Sequence, residues 1–236
     1  MKKQIIEKPI LFKPEMVAAI LKNKKTVTRR IIDPQPPDYV CYFISDYWKH
    51  STHKMYKTKE SKALYFTGCE LSDEPTSFYL KSKYWIDLFL WVKEKWTVAG
   101  YNKYFRKENN KIDYEISVLY TSGFINLSVY LDKEQWQRIV DREKQFLKRG
   151  LDSNLWRSSL FMPRVASRIT LKVKNVRIER LQELDNTEAV LEGCKDRTDY
   201  ARLWDEINKT HGYTWKDNPW VYRILFEKVL NAGNAG

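Results

Sequence analysis

The chain has 236 residues, 43% hydrophobic and 14% aromatic, which is enough to bury a core in one elaborated domain or two small ones. Lys and Arg number 42 against 30 Asp and Glu, and the resulting charge of +12 makes a polyanion the first partner to consider. Only eight glycines and eight prolines are present, with no internal repeat and no low-complexity linker, so extended disorder is excluded outside the terminal NAGNAG.

In chain order, MKKQIIEKPILF has too short an apolar run to be a secretory signal, because Glu7, Lys8 and Pro9 interrupt it. No window approaches 18 uncharged apolar residues, so a cytoplasmic protein with no membrane partner is expected. Residues 4 to 12 predict a strand which the proline confines to a sheet edge. Pro14 opens a helix with an apolar face of Met16, Val17, Ala19 and Ile20, ending near Asn23. The basic stretch KNKKTVTRR follows. Its second half alternates as a strand, with Thr26, Thr28 and Arg30 on one face and Val27, Arg29 and Ile31 on the other, stopping at Asp33 and Pro34.

Residues 38 to 82 are polar, aromatic and lysine-rich without a clean period. Cys41, His50 and His53 fit no usual ligand spacing there. With Cys69 and Cys194 they give neither a disulfide framework nor a CxxC site, and no metal or cofactor is expected. LFLWVKEKW, residues 88 to 96, reads as a buried strand with Glu94 in its middle. A buried carboxylate needs a cation or hydrogen-bond donors, so Glu94 is expected to meet a cation of the basic stretch or to emerge into a cleft. Short strands such as DYEISVLY follow, then a helix from the Asp132 cap to Gly150 with Trp136, Ile139, Val140 and Phe146 as apolar members. From Ser167 onward, apolar residues alternate with Arg168, Lys172, Lys174, Arg177 and Arg180, predicting a strand or hairpin with one basic face. Asp185 and Glu188 occupy capping-box positions of a short helix that Gly193 ends, Asp199 caps another ending by Gly212, and Trp220 to Val229 closes the chain as a strand. The order of elements predicts an α+β fold around a small, mostly antiparallel β-barrel.

Several segments together resemble the ASCH family, a PUA-like group related to RNA-binding modules, and most of all its longer members from bacteriophages and prophages. They are ILFKPEMVAAILKNKKTVTRRII, LWVKEKW, MPRVASRITLKVKNVRIERLQEL, EAVLEG and NPWVYRILFEKV. The likeness covers core blocks at about 4 to 37, 84 to 98 and 156 to 230. Residues 38 to 83 and 99 to 155 then read as insertions in a single elaborated domain. The resemblance implies that a Gly-x-Lys-x-x-Thr-x-Arg pattern lines the cleft, matched here by Asn23, Lys25, Thr28 and Arg30, with asparagine in place of the glycine. Asparagine is the best substitute where the chain turns at positive φ. Glu192-Gly193 matches a family Glu-Gly. Small bacterial members that hydrolyse acylated cytidines hold the matching Lys, Thr and Glu as their catalytic site.

Lys25 and Arg30 are therefore expected in a cleft with Thr28, and Lys22, Lys24 and Arg29 outside it. Three classes of function follow. In the leading one, RNA, another single-stranded nucleic acid or a modified nucleotide is held by Lys24, Arg29, Arg30, Arg164, Arg168, Lys172, Arg177 and Arg180. Glu94 and Trp96 then form part of the cleft wall, and Tyr47, Trp48, Trp215 and Trp220 are further stacking candidates. The second is hydrolysis of an N4-acylcytidine-like amide or an RNA phosphodiester, with Lys25 as base, Thr28 as nucleophile and Glu192 shuttling the proton. The third is a phage protein that binds a host protein. A salt-bridged network of Lys25, Arg30, Glu94 and Glu192 that merely supports the fold is the competing account of the same residues.

Overall fold

A computed structural model describes residues 6–36, 64–67, 78–148 and 156–229. The elements are β1 (Glu7–Leu11), α1 (Pro14–Leu21), β2 (Val27–Ile31), β3 (Leu64–Thr67), β4 (Phe78–Lys81), β5 (Phe89–Lys93), β6 (Trp96–Arg106) and β7 (Lys111–Tyr120). They continue with β8 (Gly123–Leu131), α2 (Lys133–Lys148), β9 (Thr170–Arg180), α3 (Asn186–Leu191), α4 (Arg197–Asn208) and β10 (Trp220–Val229). The described residues fall into two compact units, one of 6–7, 22–36, 64–67, 78–89 and 171–229, the other of 8–21, 90–148 and 156–170.

In the first unit β9, β10 and β2 are successive neighbours. β10 and β2 pair antiparallel, setting Arg223 opposite Arg29 and Ile224 opposite Thr28. Asn23 makes the turn out of α1 with φ 55°, a left-handed conformation that asparagine visits more readily than other non-glycine residues. The turn is seated by Thr26 N–H donating to Leu191 O at 2.9 Å and Phe226 N–H donating to Thr26 O at 2.9 Å. β9 is one strand, not a hairpin, and buries Leu171, Val173, Val176 and Ile178. The α3–α4 side has its own apolar cluster of Leu181, Leu184, Ala189, Tyr200, Trp204 and Val221. Asp185 caps α3 by accepting from Glu188 N–H at 2.7 Å, and Gly193 leaves the helix at φ 88°. The cap of α4 is Asp196, which accepts from Asp199 N–H at 2.8 Å; Asp199, the expected cap, lies in the first turn. β3 and β4 form a two-stranded antiparallel pair.

In the second unit the apolar run 88 to 96 is two strands. β5 ends at Lys93 and β6 begins at Trp96, so Glu94 stands at a break and not in mid-strand. β6, β7 and β8 form an antiparallel meander. α2, capped by Asp132 accepting from Gln135 N–H at 2.8 Å, packs Trp136 and Val140 into a core with Trp96, Ile116, Val118, Tyr120 and Leu131. Residues 99–148 thus form a folded layer around this core, which Trp96, Val98, Met162 and Ala166 complete.

Antiparallel sheets with short helices make this a mixed α+β protein. Among the described residues no closed barrel is formed, and no helix is long and apolar enough to cross a membrane. Cys41, Cys69, His50, His53, Tyr47, Trp48, Gly150 and the NAGNAG tail lie outside the described residues.

Candidate functional site

The basic stretch and the short helix α3 meet in the first unit. Lys25 Nζ donates to Glu192 Oε2 at 2.5 Å and to the Glu192 main-chain carbonyl at 2.8 Å. One ammonium thereby neutralises a carboxylate and satisfies a carbonyl at the C-terminal end of α3, where a cation also suits the helix dipole. Both groups are sealed, the Lys25 side chain at 0% and Glu192 at 2% exposure. Burial drives the Lys25 pKa below its ordinary value; Glu192 opposes this and Arg30 reinforces it.

Arg29 is the centre of the cluster. It was expected outside and is buried instead, because three carboxylates surround its planar fork. Its Nε donates to Glu179 Oε1 at 2.7 Å, one terminal nitrogen to Glu192 Oε1 at 3.1 Å and the other to Glu188 Oε2 at 2.8 Å. Burial disfavours its charge, but Glu192 and Glu179 outweigh burial and raise its pKa. Glu188 is shared. Arg223 grips it with both prongs, Nε to Oε2 at 2.8 Å and a terminal nitrogen to Oε1 at 2.6 Å. Burial pushes the Glu188 carboxyl up, but Arg223 and Arg29 overcome that and hold it at about 2. Arg177 completes the network through Glu179 Oε2 at 2.6 Å. Tyr200 is buried beside these groups, and burial followed by Glu192 keeps its phenol protonated.

The cluster therefore sets four cations, Lys25, Arg29, Arg177 and Arg223, against three carboxylates, Glu179, Glu188 and Glu192. Its interior charges are matched, and the excess cation faces outward, since Arg177 is 45% exposed. Thr28 is buried on the same strand as Arg29, and Arg30 is half-buried and acts electrostatically on both Lys25 and Tyr84. Lys22 and Lys24 are exposed, as expected.

The remaining candidates of this unit are mostly engaged. Lys172 Nζ lies 3.0 Å from Asp87 Oδ1. Arg180 stacks over Trp220 at 4.3 Å and donates to Asn218 O at 3.2 Å. Trp220 is buried, and Trp215 is half-buried under Arg197 at 5.1 Å, so neither presents an open stacking face.

Glu94, Trp96, Arg164 and Arg168 belong to the second unit. Glu94 does find a cation, but it is Arg168, not one from the basic stretch. Arg168 Nε donates to Oε1 at 2.9 Å and a terminal nitrogen to Oε2 at 3.1 Å, while the Ser122 hydroxyl donates to the same carboxylate. The guanidinium also lies 4.2 Å over Tyr120. Such a buried bidentate pair leaves Arg168 little freedom to meet a phosphate. Trp96, expected as a wall of the cleft, is 2% exposed and belongs to the core with Arg157 over its ring at 5.0 Å. Arg164 stacks at 6.0 Å over Trp91.

Glu179, Arg223 and Tyr200 were not read from the sequence, and Glu188 was read only as a capping residue. Two signals were available. Arg177 and Glu179 are two apart on one strand, and Glu188 and Glu192 are four apart across α3, spacings that place each pair on one face. Arg223 gives no such signal, because it joins through the β10–β2 register. Among the described residues no group of three or more His, Cys, Asp or Glu could hold a metal ion. No family model, no curated protein and no solved structure matches the chain.

Proposed function

We propose that the chain is an ASCH-type, PUA-like protein that binds RNA or a modified nucleotide. The reading takes its fold to be the small barrel of that group, carrying two insertions. The observation that supports it most is the meeting of Lys25 with Glu192, 167 positions apart in sequence. These residues come from two separate segments that carry the resemblance, and each matches a family site position. Beside them, Lys22 and Lys24 are exposed on a chain of charge +12, the setting in which phosphates are attracted from a distance. The sealed Lys25–Glu192 pair acts in this reading as the rigid floor that fixes the turn carrying those lysines. Electrophoretic mobility shift of a mixed RNA pool tests it: retarded complexes are expected at low salt, and a pool that migrates unchanged at every protein concentration refutes it.

Hydrolysis is the second reading, favoured by the lowered pKa of Lys25. An amine that loses its proton more easily could deprotonate the hydroxyl of Thr28, with Glu192 carrying the proton away. Turnover of N4-acetylcytidine by wild type but not by Lys25→Ala or Thr28→Val is the expected result on that reading; no turnover removes it and leaves binding.

A further inference from the structure

The open face of the β6–β7–β8 meander carries two tyrosines and a carboxylate that no part of the cluster uses. We propose that Tyr104 and Tyr130 stack the bases of single-stranded RNA and that Glu115, between them, reads a base offering two adjacent N–H donors, as guanine does. This inference rests on the nucleic-acid reading and gives it a contact surface in the second insertion.

The pairing register puts these residues together. Glu115 lies opposite Asn102 on β6 and opposite Tyr130 on β8, and Tyr104 is two residues past Asn102 on the same face. A bulge makes this possible. The register shifts between Val98 and Gly100, so one extra residue reverses the parity of β6. Trp96 and Val98 face the core before the bulge; after it Tyr101 joins Ile116 on the core face and Tyr104 turns outward. Without the bulge Tyr104 would be on the core side. The opposite face is occupied, since Trp136 of α2 packs against Tyr101 at 6.2 Å and Tyr114 at 5.4 Å.

Tyr104 is 48% and Tyr130 61% exposed, whereas Glu115 between them is only 7% exposed. Among the described residues no cation pairs with Glu115. Its carboxylate acts on the Tyr104 hydroxyl by hydrogen bonding and raises that phenol's pKa. An acceptor-only group this enclosed and lacking a cation gains from N–H donors brought by a ligand. With strands about 4.8 Å apart, the two rings stand roughly 10 Å apart across the sheet, room for a different base on each.

Charge selects the occupant. Two aromatic rings and a carboxylate could also hold a cationic side chain. Arg106 and Lys111, however, lie directly opposite each other at the end of the same face; Arg106 pairs with Asp113, and among the described residues no carboxylate pairs with Lys111. With Arg106 neutralised by Asp113, Lys111 is the exposed cation at that end of the face that a phosphate can meet. With the chain at +12, a strand bearing both phosphates and bases fits this surface better than a basic peptide.

Fluorescence anisotropy tests the proposal with a labelled single-stranded RNA of alternating uridine and guanosine, and with the same RNA carrying inosine, which lacks the guanine amino group. Wild type is expected to prefer guanosine by about tenfold. Tyr104→Ala and Tyr130→Ala should each weaken binding by about tenfold, while Tyr104→Phe and Tyr130→Phe keep it. Glu115→Gln should erase the preference and retain affinity for the inosine strand. Equal binding by wild type and both alanine variants, or loss in the phenylalanine variants too, overturns the platform and leaves the nucleic-acid reading standing. No binding of either RNA by wild type overturns the platform alone if the mixed RNA pool is still retarded, and overturns both if the pool migrates unchanged. Tyr104-dependent binding of a methylated lysine or arginine peptide, without RNA binding, overturns the platform in favour of a protein partner.

Discussion

The Lys25 ammonium bonds Glu192 twice, through the carboxylate at 2.5 Å and the main-chain carbonyl at 2.8 Å, and so ties the turn after α1 to the end of α3. Lys25→Ala leaves that carboxylate buried with Arg29 alone and should destabilise the protein by roughly 3–5 kcal/mol. Lys25→Met combined with Glu192→Gln should recover much of the loss, because neither side then leaves a buried charge. Urea denaturation midpoints measure both; a single-variant cost near zero would mean that the pair contributes nothing to stability.

Glu188 gives the cluster an acid limit. Its folded pKa, about 2, lies below its ordinary 4.5, so the folded state binds the proton less readily than the unfolded one. The stability it contributes is present in full above about 4.5 and is lost as the pH falls through about 2. Thermal midpoints measured down that range should drop for wild type and drop less steeply for Glu188→Gln. Parallel curves would contradict the assignment.

Asn23 holds a left-handed conformation, φ 55°, which glycine adopts without strain. Asn23→Gly should be neutral or stabilise slightly, and Asn23→Val should cost about 1–2 kcal/mol, since a β-branched side chain is strained there. Equal stability of the two variants, read by chemical denaturation, would show that the turn relaxes.

Glu94 and Arg168 make the corresponding test in the second unit. Glu94→Ala removes the carboxylate that the Arg168 guanidinium, 7% exposed, grips with two hydrogen bonds, and should cost roughly 3–5 kcal/mol. Lys174→Ala, at a 46% exposed ion pair, should change stability by less than about 0.5 kcal/mol. Denaturation curves that shift equally would contradict this ranking.

Local signals carried the sequence reading well. Pro14 and the following apolar face gave α1, the Asp132 cap gave α2, alternation gave β9, and the apolar run from Trp220 to Val229 gave β10. Lys25 and Glu192 were named together through the family pattern, and they do meet. What failed depended on pairing across the chain. Alternation put Arg29 on a face but could not show that the face was covered, because Glu179, Glu188 and Arg223 arrive from other elements. For the same reason the basic face of β9 looked free, although Lys172 and Arg177 are answered by Asp87 and Glu179. The bulge before Gly100, which turns Tyr104 outward, leaves no mark on the period of β6 that composition could reveal.

Nucleic-acid binding is tested most directly by titrating a labelled single-stranded RNA with wild-type protein across a series of salt concentrations. Tight binding is expected at low salt, with log affinity falling linearly against log salt as phosphate-bound counterions are released. No change in anisotropy at low salt with single-stranded RNA, structured RNA or single-stranded DNA would contradict it.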